Sequence, residues 1–345
     1  PSEDKTDEKI LKKSDILSIL QSTDSQLLLA RSLNNLYKST DQGKSWRKCR
    51  VPFKKLRSVA IHPDYSEIVF AAAKSGIWKS QNGGKSWKRI NKQISVQSKA
   101  FVSSVGEVLA INPHNPNNMA LGTHSKGLFI SQDGGETWQQ KGLKNELISC
   151  LKFSPLKKNF LIVGTCASQE LKRFESIRGR LQKTRGKVYF MAADGNSQRL
   201  CADLADIGFT NIAFDTLYKT SIHFATTRGF FYTWNNGHKL YQRRYQLPAD
   251  ELVFALDVHA MDHQSWPYVY AAPYKAPKNI YLSDNEGYRF KEMPKHYNSQ
   301  GKSNLHGLTS LLRLNSDTEV MLISTEKGIL RSRDHGQSFK KVFHP

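Results

Sequence analysis

The side chains that could do chemistry in this sequence are a scatter of carboxylates and a surplus of cations. Glu107, Glu251, Asp257 and Asp262 could line one cleft, and two carboxyl groups facing a sugar are what ordinary glycoside hydrolysis requires. Nothing in their spacing pairs them. His259, Asp262 and His263 lie close together, but this H-x-x-D-H segment lacks a recognised metal-ligand spacing, so no metal and no cofactor is expected. The sequence contains no nucleophile elbow, phosphate-cradling glycine loop or dinucleotide fingerprint, and no catalytic residue is assigned. Cys49, Cys150, Cys166 and Cys201 form no C-x-x-C pair; they read either as small buried hydrophobes or as containing one Cys150–Cys166 bridge across neighbouring strands.

The cations are more informative. In 345 residues, 51 Lys and Arg stand against 30 Asp and Glu, a formal net charge of +21. Such a field attracts acidic proteins, polyanionic sugars, nucleic acid or an anionic membrane surface. No apolar run is long enough to span a bilayer, and the mean hydropathy is −0.54. A start at Pro1 without a hydrophobic leader is what an exported protein shows after its signal segment is removed, which gives an extracytoplasmic expectation: periplasm, thylakoid lumen or secreted.

The elements that must position these residues are repeats. Ser39 to Trp46 (STDQGKSW), Ser80 to Trp87 (SQNGGKSW) and Ser131 to Trp138 (SQDGGETW) share the pattern SxDxGxTW. Ser283 to Phe290 and Ser332 to Phe339 keep its Ser, Asx, Gly and final aromatic, while Ala192 to Arg199 and Thr233 to Leu240 are eroded copies. The Asx markers Asp41, Asn82, Asp133, Asp194, Asn235, Asn285 and Asp334 are separated by 41, 51, 61, 41, 50 and 49 residues. Each step holds about four short strands, the content of one propeller blade. Upstream of each box run an alternating strand (VAIHP, LAINP, LKFSP, IAFD, LDVH, LRLN), a more apolar one (IVFAAA, NMALGT, FLIVGT) and a third leading into the box (GIWKS, GLFIS, GILRS). The expected fold is therefore all-β, a single seven-bladed β-propeller over residues 14–345. Its blades are four-stranded and antiparallel, with Asp-box turns between third and fourth strands. Residues 1–13 are expected to be a flexible polar tail. The box residues are those a tight turn demands, which makes them structural rather than catalytic.

Stacking the turns between second and third strands aligns a cation from blade to blade: Arg31, Lys74, Lys126, Arg185, Arg228, Lys275 and Lys327. Turns of this class open on one face of a propeller, so they predict a basic face. Blade 4 adds an insertion at 168–187 carrying Lys172, Arg173, Arg178, Arg180 and Arg185, and long insertions in compact domains are commonly functional. Lys54, Lys55 and Arg57, between blades, should open on the same face. On the innermost strands, Asp257 and Arg313 of adjacent blades are expected to approach as an ion pair.

These boxes resemble the Asp-box (BNR) repeats of sialidases, sortilin-type receptors, xyloglucan-degrading glycosidases and the photosystem II stability/assembly factor family. The resemblance covers essentially residues 15 to 343. Sialidases carry an (F/Y)RIP segment on the first inner strand; here the only R-x-P, Arg50-Val51-Pro52, follows the first box instead. With seven boxes and a cationic patch, the chain looks most like the assembly-factor family. That likeness implies a non-catalytic scaffold docking an acidic protein partner on the basic face. Peripheral membrane contact and a polyanionic sugar are further partners the charge allows. Nucleic acid has no support beyond charge, since the aromatics fall at packing positions. The alternative is a carbohydrate-active propeller, hydrolase or lectin, with its site in the central funnel.

Overall fold

Within each repeat the second strand is the most apolar, and in the computed structural model it is buried along its whole length in every blade but the sixth: Leu28–Arg31, Val69–Ala73, Met119–Gly122, Leu161–Thr165, Ile222–Thr226 and Met321–Thr325. The structure describes residues 15–92, 94, 106–166, 185–205, 207–215, 221–234, 237, 239–243, 253–259, 267–273, 279–293, 307–317, 319–325 and 328–345. They form seven four-stranded sheets. Every sheet is a meander of four consecutive strands, spanning 18–48, 56–91, 109–140, 148–205, 209–243, 253–292 and 310–343.

Each strand pairs antiparallel with the next, and burial peaks at the second strand, the first bordering the channel and the fourth the solvent. The outermost strands Arg47–Lys48, Gln139–Gln140 and Lys291–Glu292 are fully exposed. Short charged edges of this kind discourage pairing with another chain.

The antiparallel order also fixes the faces. Turns between first and second strands and the Asp boxes lie on one side, here the box face. Turns between second and third strands and the connections between blades lie on the other, the hairpin face.

The core lies between blades rather than within one. Leu28, Tyr37 and Trp46 of blade 1 pack with Val320, Leu322 and Ile329 of blade 7, and this cluster closes the ring. The ring closes without strand exchange, each sheet keeping its own four strands. Hydrogen bonds from Thr309 Oγ1 to Ile16 O (2.6 Å) and from Arg331 Nε to Gln42 O (3.0 Å) seal the seam.

Candidate functional site: the hairpin face and the central channel

The Asp boxes come first because they set every blade. Ser39 Oγ donates to Asp41 Oδ1 (2.7 Å) and accepts from the Gly43 amide (2.9 Å), while Asp41 accepts the amide (3.0 Å) and hydroxyl (2.5 Å) of Ser45. The two amide bonds recur around Asn82, Asp133, Asn285 and Asp334, and the hydroxyl bond to the Asx carboxylate recurs at Asp133 and Asp334, whereas Asn82 Nδ2 instead donates to Ser86 Oγ. Burial raises the Asp41 carboxyl, but the bonds from Ser45 and Ser39 outweigh it and bring the group down to about 2. The eroded boxes keep fragments: Asp194 accepts the Asn196 amide (3.0 Å), and Thr233 Oγ1 accepts the Gly237 amide (3.1 Å). Asn235 lies outside the described residues. In the five full boxes the Ser and Asx side chains are engaged in the turn itself.

The aligned cations divide. Lys74 and Lys126 are exposed on the hairpin face, and Arg228 is half-buried there. Lys54 and Lys55, in the connection from blade 1 to blade 2, are exposed beside them. Arg185 is on this face too, but its Nε is 2.6 Å from Asp203 Oδ1, which offsets part of its charge. Lys172, Arg173, Arg178, Arg180, Lys275 and Lys327 lie outside the described residues.

Arg31 corrects the expectation. It is wholly buried, with its Nε 2.7 Å from Glu107 Oε1. The reason is its register: Arg31 is the last residue of strand Leu28–Arg31, paired with Ser18, whereas Lys74 is the first residue beyond strand Val69–Ala73. A residue inside the strand obeys the inward alternation; one in the turn does not. Arg57 is likewise buried, donating to Gly106 O and to Ser149 O (3.2 Å).

The first strands of all seven blades surround a central channel with a cavity of about 460 Å³. Among the described residues its carboxylates are Glu107 and Asp257. Glu107 is not available for acid–base work. It accepts from Ser18 Oγ (2.5 Å), Arg31 Nε, Ser58 Oγ and the Val59 amide (3.1 Å), tying blades 1, 2 and 3 together. Burial raises its carboxyl, but the Arg31 guanidinium and the two serine hydroxyls outweigh this and hold it below the usual range. Sequence reading missed this knot because its members lie up to 89 residues apart.

Asp257 and Arg313 do meet, through the backbone: the Arg313 amide donates to Asp257 Oδ2 at 3.3 Å. The guanidinium turns to the Tyr270 hydroxyl (3.3 Å) and His335 Nδ1 (3.1 Å), lying over the Tyr270 ring. Lys152 lines the same channel, and its Nζ donates to Ile212 O at 3.4 Å. Lys152 is exposed onto the channel and Asp257 is half-buried there, and the protein packed around the channel pulls the Lys152 ammonium down and pushes the Asp257 carboxyl up.

All four cysteines are free thiols; Cys49, Cys150 and Cys166 are buried, and the bridge between Cys150 and Cys166 is not formed. No group of three or more metal-ligating side chains occurs among the described residues. Glu251, Asp262 and His263 lie outside them, as does the His259 side chain.

Comparison with known proteins places the fold. A family model described as sortilin, neurotensin receptor 3, matches residues 75–194. No curated protein matches the sequence. Among solved structures, a GH74 xyloglucanase from Xanthomonas campestris aligns with a TM-score of 0.72 at 13% identity, covering 96% of this chain and 55% of its own. The present chain thus spans about half the length of that enzyme. YCF48 from Cyanidioschyzon merolae aligns at 0.63 and 14% identity, with 93% of this chain and 96% of that one covered. A structure of YCF48 bound to D1 peptide gives 0.62 at 14%, covering 94% and 95%. Identities this low carry the likeness in fold alone, and the chain stands among these structures as a seven-bladed β-propeller with a sortilin-type match over 75–194.

Proposed function

We propose that this propeller is a non-catalytic scaffold that docks an acidic segment of a protein partner on its hairpin face. The observation that carries the reading is the recurrence of Lys74, Lys126 and Arg228 in equivalent turns of blades 2, 3 and 5, with Lys54 and Lys55 exposed between blades. Cations held on a rigid ring sum into one field, and an acidic chain meeting several at once gains both steering and affinity. On the box face the Ser and Asx side chains of the five full boxes bond within their own turns. Support for a protein partner comes from YCF48, of similar fold and length, which has been seen with a bound peptide. Export from the cytoplasm and assembly-factor activity belong to the same proposal.

The test must separate a docking face from net charge. Binding of a fluorescent Asp/Glu-rich peptide is measured by anisotropy for two triple variants of equal charge change: Lys74→Glu/Lys126→Glu/Arg228→Glu on the hairpin face, and Lys44→Glu/Lys85→Glu/Arg333→Glu on the box face. The first should weaken binding by about tenfold or more, roughly 1.4 kcal/mol, and the second by far less. Equal losses would reduce the effect to bulk charge and sink the proposal.

A further inference from the structure

We propose that the box face rests on a lipid bilayer, its exposed aromatic side chains entering the headgroup layer of zwitterionic phospholipid and leaving the hairpin face turned away from the membrane. The proposal does not depend on the docking of an acidic partner.

Four large hydrophobic side chains are exposed among the described residues, Tyr65, Leu200, Trp234 and Tyr288, with between 46% and 60% of each open to solvent. All four belong to one side of the ring. Tyr65 is in the turn between the first and second strands of blade 2, Trp234 and Tyr288 are in the boxes of blades 5 and 6, and Leu200 directly follows the eroded box of blade 4. Among the described residues the hairpin face shows none, so this apolar surface belongs to one face rather than being scattered singly.

The turns do not demand these residues. The second position of the full boxes holds Thr40, Gln81, Gln132, Asp284 and Arg333, all exposed, where blade 5 has Trp234. The sixth holds Lys44, Lys85, Glu136 and Gln337 where blade 6 has Tyr288. Trp234 is also held in place: it stacks on Tyr241 at 4.3 Å and 11°, with Tyr232 at 5.5 Å, so little side-chain freedom is lost on contact.

The spacing selects the occupant. In a closed ring of seven, blade 2 lies opposite blades 5 and 6, so Tyr65 stands across the disc from Trp234 and Tyr288. A peptide or sugar held at one pair of blades leaves the other side bare, whereas a plane meets both. Trp and Tyr, with an apolar body and a polar tip, favour the headgroup layer of a bilayer. Their flanks carry both signs of charge: Lys239 lies over the Tyr241 ring, Arg289 follows Tyr288, and Asp64 precedes Tyr65. Phosphatidylcholine offers a phosphate to the cations and a choline ammonium to the carboxylate, while a purely acidic surface would face Asp64 and Asp284 with like charge.

The test is flotation of the full chain with vesicles of pure phosphatidylcholine. The parent should float with the vesicles. Tyr65→Ser and Trp234→Ala, on opposite sides of the ring, should each weaken partitioning by about fivefold or more, since each ring buries apolar area against lipid. The hairpin-face variant Lys74→Glu/Lys126→Glu/Arg228→Glu should float as the parent does, which separates membrane contact from partner docking. A parent that stays with the buffer would overturn the proposal, and so would a loss confined to one side of the ring, which would mean a local site rather than a planar contact. A dimer in sedimentation velocity that Trp234→Ala abolishes would assign the patch to a second copy of the chain and equally overturn it. Should either variant fail to fold, quenching of the parent's tryptophan emission by brominated phosphatidylcholine supports the proposal, and its absence overturns it.

Discussion

The His223 imidazole lies in the second strand of blade 5 with no exposed surface, stacked at 5.6 Å on Phe230 and 6.5 Å on Tyr232. Neither ring nitrogen has a hydrogen-bond partner. Burial lowers its pKa from 6.5 to about 3. A depressed histidine pKa means that the unfolded chain takes up a proton that the folded one refuses. Its contribution to stability is full above pH 6.5 and is lost as the pH falls toward 3, at up to about 1.4 kcal/mol per pH unit. Urea unfolding at pH 7 and pH 4.5 should show a loss for the parent protein that His223→Phe reduces; identical losses would show that His223 does not drive the acid sensitivity. The Glu107 knot shares this origin, since enclosing a charged group makes its partners matter more than its identity. Neither feature could be read from local sequence. A single histidine on an apolar strand and a single glutamate in a connection look the same there whether or not they are buried.

At the scale of the element, the turns were legible because their residue types answer local backbone demands. Ser, Asx and Gly at fixed offsets mark each box, and the hydrogen bonds of five boxes repeat the pattern read from the letters. Two glycines of blade 2 separate conformation from contact. Gly83 has φ +63°, and a Cβ there meets nothing within 4 Å, so Gly83→Ala should cost only the left-handed strain, roughly 1–2 kcal/mol. Gly76 has φ +118°, and a Cβ would lie 2.1 Å from Asn91 O, a backbone atom of the adjoining strand. Gly76→Ala should therefore be clearly the more destabilising in thermal melts, fraying the third and fourth strands of the blade; equal melting temperatures would refute this. The aligned cations were less legible. One residue of register separates a turn from a strand end, enough to expose Lys74 and enclose Arg31.

At the scale of the whole molecule, the ring has one seam where the chain's beginning meets its end. Phe343, in the last strand, packs 4.8 Å from Tyr37 and 6.4 Å from Trp46, both of blade 1. These contacts join residues some 300 positions apart, so they are made only when the circle closes. Phe343→Ala should lower unfolding stability by about 1–3 kcal/mol, less than for a fully buried phenylalanine because its edge is partly exposed. A change in denaturant midpoint shows the loss, and a fall in the slope of the transition would show that the seam also carries cooperativity. A midpoint unmoved by the substitution would place closure elsewhere, in the hydrogen bonds from Thr309 and Arg331.

The sequence by itself determined the number of blades, the class of each strand and the chemistry of the boxes, because strand periodicity and turn chemistry act over a few neighbouring residues. Only the tertiary structure decided which charges are paid in full inside the ring and which remain on its surface. Arg31 and Glu107 neutralise each other across 76 positions, Lys152 and Asp257 are brought to one channel from blades 4 and 6, and Lys74 and Lys126 stay exposed on the surface. Those outcomes depend on distance and dielectric, which exist only once the circle is closed.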